Sequence, residues 1–180
     1  MKKLAALVLI FMSVTSFSQT VETEVIKQIN QLRLQMGGPA KGLKPFVRNA
    51  ALDSAAAYHA RWIVASGIGS HTETKSVNGI KALPEFTDRA AKYGVTAYAE
   101  NLIKYCQYIT KGSSVDVKAT SNLAFIAWKN SPGHYANMLF SAPQSVEIRI
   151  GIAVVPYDEY TYCIVMVVGA NVDSNGQVIK

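Results

Sequence analysis

Three side chains in this sequence could do chemistry together: His71 in GIGSHTE, Glu100 in YAENL and His134 in SPGHYANML. Each lies inside or just after a break in regular structure, where binding residues are commonly carried on a rigid scaffold. Two imidazoles and one carboxylate make a ligand set for zinc or another divalent ion, with room left for a water whose pKa the ion would lower. The spacing is not a metal signature, because the three are dispersed along the chain rather than set on one helix as in HExxH. The same groups could instead hydrogen-bond one another, and that reading assigns them no catalysis.

A nucleophilic mechanism needs a hydroxyl or thiol against a base that a third group orients. Ser70 precedes His71 directly, but adjacent residues on an extended chain point to opposite sides. Ser131 stands near His134 across Pro132 and Gly133, and could equally cap the turn that follows. Cys106 and Cys163 lack a Cys-His-Asn context. They are the only two cysteines, and either form one disulfide or stay as two buried thiols that pack as small apolar side chains. His59 falls mid-helix beside an apolar face and is given no role.

The elements that must position these groups follow from periodicity. Val25, Ile29, Leu32 and Met36 recur at helical spacing from Glu22 to Met36, and Gly37-Gly38-Pro39 ends that helix. Asn49 is the expected N-cap of ALDSAAAYHARWIVAS, which stops at Gly67. The turn-rich stretch from Ile68 to Thr87 reads as loop. DRAAKYG follows as a short helix closed by Gly94, AENLIKYCQYI as a strand and KGSS as a turn. A third helix runs from about Val117 to Asn130, and its apolar LAFIAW meets an abrupt stop at Ser131-Pro132-Gly133, a break that aims His134. The period then changes to two: Val146, Ile148, Ile150, Ile152 and Val154 alternate, PYDEY turns, and TYCIVMVVGA is apolar on both faces, as a covered central strand must be. Helices first and strands late give an α+β layered fold rather than a doubly wound parallel sheet. The NVDSNGQVIK tail, residues 171–180, is expected to be loosely ordered.

The first residues, MKKLAALVLIFMSVTSFSQ, have two lysines, an apolar run from Leu4 to Met12 and Ser16-Phe17-Ser18 before Gln19. This is the layout of a secretory signal peptide over residues 1–18, cleaved near Ser18/Gln19, which places the protein in the periplasm or the medium. The apolar run falls short of the roughly 20 residues of a spanning helix, so the mature chain has no expected transmembrane segment. Loss of residues 1–18 removes two lysines and no acid, and takes the formal charge from +6 to +4 on 162 residues. That length suits one domain, 19–170, with a sizeable core. The basic residues are scattered without interleaved aromatics, which excludes a nucleic-acid surface.

Taken together, these residues resemble the CAP superfamily, the cysteine-rich secretory, antigen-five and pathogenesis-related proteins, in its bacterial branch. The resemblance runs from about Val25 to Gly169. Its carriers are IKQINQLRLQMG with KGLKPF, the helix that begins near Leu52 and ends in SGIGSH, TDRAAKYGV leading into AENL, and AWKNSPGHYANML with IGIAVV. The resemblance implies an α-β-α sandwich with a central antiparallel sheet, and a cleft lined by two His and two Glu. His71 matches the first His, Glu100 the acid of the Gly-Glu-Asn motif and His134 the second His. The second Glu is missing, since Trp128 leads into Lys129, Asn130 and Ser131; Ala99 stands where the family has Gly, and extra residues separate Glu100 from Trp128. The family further implies a module that binds a lipid or cell-envelope component, with metal binding at the cleft and protease-like, metal-dependent hydrolysis as the alternative; the chain itself is expected to be a monomer.

Overall fold

The computed structural model describes residues 20–143, 145–173 and 175–179; the signal sequence expected over residues 1–18 lies outside them. Its helices are α1 (residues 20–35), α2 (Ala50–Ser66), α3 (Phe86–Ala91), α4 (Val117–Lys129) and α5 (Pro132–Met138). Its strands are β1 (Val47–Arg48), β2 (Val95–Gln107), β3 (Thr110–Lys111), β4 (Ser114–Val115), β5 (Arg149–Pro156) and β6 (Thr161–Asn171). No helix among the described residues is long and apolar enough to cross a membrane.

The main sheet has the order β1-β5-β6-β2, antiparallel except where the two-residue β1 runs parallel to β5. β6 is the inner strand between β5 and β2 and is buried from Tyr162 to Ala170, as its unbroken apolar run requires. One face carries Ile150, Ile152, Ile164 and Met166 against α1 (Val21, Val25, Ile29, Leu32) and against Ala124 and Trp128 of α4. The other carries Ala153, Cys163, Val165 and Val167 against Leu52, Ala56, Ala60 and Ile63 of α2 and Ala90 of α3. The fold is thus the expected α-β-α sandwich. Gly151 of β5 lets α2 settle close to the sheet: a Cβ there would lie 2.1 Å from the Leu52 carbonyl carbon and 2.3 Å from the Asp53 nitrogen.

β1 pairs with β5 only at Arg149 and Ile150, which would leave later β5 amides bare in a covered part of the sheet. Two acids at the starts of helices satisfy them. Asp53 Oδ1 accepts from Ile152 N at 2.9 Å and Glu22 Oε1 from Val154 N at 3.0 Å. Both bonds discharge amides that the ladder leaves over and tie α1 and α2 to the sheet.

Local signals act largely as expected. Asn49 Oδ1 caps α2 through Ala51 N and Leu52 N, and Gly67 closes it in the left-handed region at φ 70°. Two readings change. Ser131-Pro132-Gly133 is a restart as well as a stop: Pro132 takes the first position of α5, where its missing N–H costs nothing, so His134 stands in a helical first turn; the Ser131 side chain makes no cap. The C-terminal segment folds back, with Val172 bridging Val178 and Asp173 Oδ1 accepting from Asn175 N and Gln177 N.

Candidate functional site

β2 brings the acid into place by an irregularity. Ala97 pairs with Gly169, but Ala99 pairs with Val168, so Tyr98 is an extra residue in the ladder. This bulge reverses the alternation. Ala97 belongs to the core under α2 and Ala99 to the core under α1 and α4, although they are two residues apart. Glu100 therefore turns toward α2 and α3, and Asn101 toward α5.

On the α2–α3 side Glu100 is 4% exposed and meets Arg89 of α3. Arg89 Nη2 donates to both of its oxygens, at 3.1 and 2.9 Å, and to the His71 carbonyl at 2.9 Å. His71, in the segment after α2, donates from Nδ1 to Glu100 Oε1 at 2.9 Å while half of its side chain stays exposed. The carboxylate can only accept, so Nδ1 carries the proton and Nε2 is turned to other partners. Behind this pair lies a second acid, Glu73, 1% exposed. Its Oε1 accepts from His59 Nδ1 at 2.9 Å and lies 3.7 Å from Arg89 Nη1, while Oε2 accepts from Leu83 N at 2.8 Å. His59 Nε2 stands 3.6 Å from Glu100 Oε1, beyond hydrogen-bond reach, and has no hydrogen bond among the described residues. Sequence periodicity gives His59 no role and does not distinguish Glu73, the last residue of GIGSHTE. Both belong to a buried cluster that ends at the cleft. An acid two residues beyond a motif histidine was the available signal.

On the α5 side, Asn101 Nδ2 donates to the His134 carbonyl at 3.0 Å. Asn137 Nδ2 donates to the Glu100 carbonyl at 3.1 Å and to Asn101 Oδ1 at 2.9 Å. These bonds dock α5 on β2 and set the His71 and His134 rings 6.4 Å apart, tilted by 57°. His71, Glu100 and His134 are thus brought together.

Burial pushes the Glu100 carboxyl up, but the His71 hydrogen bond and the neighbouring His59 and Arg89 outweigh it and hold the carboxyl below the usual range. Burial, and secondarily His71, push His134 below its ordinary value of 6.5. At neutral pH the cleft therefore offers a neutral imidazole at His134 beside an ionised carboxylate already matched by Arg89.

The three-ligand metal site does not fit this geometry. Both Glu100 oxygens are taken by Arg89 and one also by His71, and no group of three His, Cys, Asp or Glu side chains among the described residues could hold an ion. The disulfide alternative also gives way to two buried free thiols. Cys106 pairs across the ladder with Tyr162, the residue before Cys163, so the two sulfurs lie in cores on opposite faces of the sheet.

The three-layer sandwich is a fold shared with SCP-domain structures. The sequence profile of the Cysteine-rich secretory protein family, CAP, matches residues 26–169, and the chain belongs to this family. No curated protein matches it. Among solved structures it is similar to an outer surface protein from Borrelia burgdorferi, at 16% identity and TM-score 0.54, covering 80% of this chain and 87% of that one. It is also similar to an extracellular protein containing a SCP domain from Bacillus anthracis, at 16% identity and TM-score 0.55, covering 83% of this chain and 41% of that one.

Proposed function

We propose that this protein is an exported binding module of the bacterial branch of the family. On this reading it is processed before Gln19, its domain spans residues 19–170, and it works as a monomer. Its cleft around His71, Glu100 and His134 receives a lipid or another cell-envelope component. The observation that carries the reading is the neutralisation of Glu100 from within. An acid held by Arg89 and His71 below the usual carboxylate range is poorly suited to shuttle a proton at neutral pH, and it is committed before any ion arrives. No hydroxyl or thiol among the described residues hydrogen-bonds either cleft imidazole, so the nucleophile–base pair of an acyl-transfer enzyme has no counterpart. What remains is a half-exposed His71 with a free ring nitrogen, and a neutral His134, both able to hydrogen-bond a ligand. The lysine-led apolar N-terminus supports export, as do the two structural relatives, one an outer surface protein and the other an extracellular protein.

One observation favours the hydrolase reading: Glu100 orients His71 as a third group orients a general base. A calorimetric comparison of the protein with its His71→Ala/His134→Ala variant separates the two. The binding module predicts saturable uptake of phospholipid or envelope fragments, weakened in the variant, and no one-to-one zinc binding that depends on the histidines. Micromolar zinc binding lost in the variant, together with ester or peptide hydrolysis, would establish the hydrolase instead.

A further inference from the structure

A second concavity, of about 490 Å³, shares no lining residue with the His71–His134 cleft. It lies between the chain that leads into β1 (Gly42, Lys44, Pro45, Val47) and the segment before β5 (Pro143, Val146, Ile148). That volume is within the usual range for small-ligand sites, about 300–1,000 Å³. Arg33 of α1 lines its floor and is 1% exposed.

Buried arginines are normally paired with an acid. Arg33 makes no ion pair with any acid among the described residues. Its Nε donates to Lys44 O at 2.8 Å and its Nη1 to Met138 O and Phe140 O at 3.0 and 2.9 Å, while the guanidinium lies 3.7 Å over the Phe46 ring. Three carbonyls and one aromatic face thus fix the group from behind. Nη2 makes no hydrogen bond to a described residue. Burial without a compensating acid pushes the Arg33 pKa down to about 10, as expected of a cation that an anionic partner would stabilise. Glu147 also lines the concavity, but its carboxylate is paired with Arg149.

We infer that this concavity is a binding site for a monocarboxylate with a short apolar body, either a free acid or the C-terminus of a peptide, and that Arg33 Nη2 is its anchor. One free guanidinium edge matches one carboxylate. Pro45, Val47, Pro143, Val146 and Ile148 supply the wall for the apolar body. The fixed position of the guanidinium means that little side-chain entropy is lost on binding.

The test uses hexanoate as the free acid and acetyl-Ala-Val as the peptide terminus, each beside its neutral amide, titrated into the protein and followed by ¹H–¹⁵N shifts. Either carboxylate should bind at least about tenfold more tightly than its amide, as a charge-assisted bond implies, and should shift the Arg33 Nε–H and the amides of Gly42, Lys44 and Val47. Which acid binds identifies the source. Arg33→Met should abolish binding. Because Arg33 also ties three carbonyls, Val47→Trp is the second variant: it fills the concavity from an exposed strand position and should abolish binding with far-UV dichroism unchanged. Equal affinity for acid and amide, no binding of either acid, or binding undiminished in folded Val47→Trp would overturn the assignment.

Discussion

Arg89→Met is the substitution that most directly probes the cleft. In the native protein one guanidinium, 1% exposed, spans two carboxylates that are 1% and 4% exposed. It reaches Glu100 Oε2 at 2.9 Å and Glu73 Oε1 at 3.7 Å, and also accepts the role of donor to Leu83 O and His71 O at 2.8 and 2.9 Å. Methionine keeps much of the volume and removes every polar contact. Breaking a buried pair from one side costs about 3–5 kcal/mol, because an uncompensated charge stays behind. For a chain of this size each kcal/mol is worth about 2–4 °C in Tm, so at neutral pH the variant should melt roughly 6–20 °C lower. The sign of the pH dependence separates electrostatics from packing. With Arg89 present, Glu100 sits below its ordinary value of 4.5 and the stability it adds is present above that pH and lost below it. Without Arg89, burial is opposed by His71 and His59 alone, so the Glu100 carboxyl shifts upward from its native position and the variant falls further behind the native protein as pH rises through that range. The deficit should be small near pH 4 and grow toward pH 7. Urea unfolding followed by circular dichroism at several pH values measures it. A deficit independent of pH, or below about 1 kcal/mol at pH 7, would refute the account of Arg89 as the counter-charge.

Three further outcomes follow from the same structure. NMR titration should place the His134 pKa below 6.5, so that the stability its neutral ring contributes is lost as pH falls below that value, and His71→Gln should move it back upward. Asn137→Ala removes the donor to Glu100 O and Asn101 Oδ1; chemical denaturation should show a loss of about 1–3 kcal/mol, with shifted His134 resonances as α5 loosens. The intact mass should be the same with and without reductant, and Cys163, whose thiol burial pushes up to about 12, should react with a thiol reagent only on unfolding.

Most of the layered fold was legible without coordinates because its signals are local. Asn49 and Gly67 bracket α2, the alternation from Val146 to Val154 marks a strand, and the doubly apolar TYCIVMVVGA can only be central. The motif residues were legible as well, and His71, Glu100 and His134 do meet. The restart of the helix at Pro132 was within reach of the rule that proline suits a first helical turn; the abruptness of the stop obscured it.

What the amino-acid order determined by itself is the set of elements, the covered central strand and the three polar residues set at breaks, since each depends on neighbours a few positions away. Only the tertiary structure decided how the cleft is charged. The extra residue at Tyr98 turns Glu100 toward Arg89 and His71 and leaves Asn101 for α5, and a one-residue slip of this kind has no periodic signature. The partners it selects, Arg89 from α3 and His59 from α2, are ordinary helical residues until packing removes water from around them. Likewise Cys106 and Cys163 are separated by the face each takes on the sheet, a matter of register between β2 and β6 and not of their number. Pairing across strands and the loss of solvent around a charge are long-range events, and for that reason the chemistry of the cleft became legible only once the chain was folded.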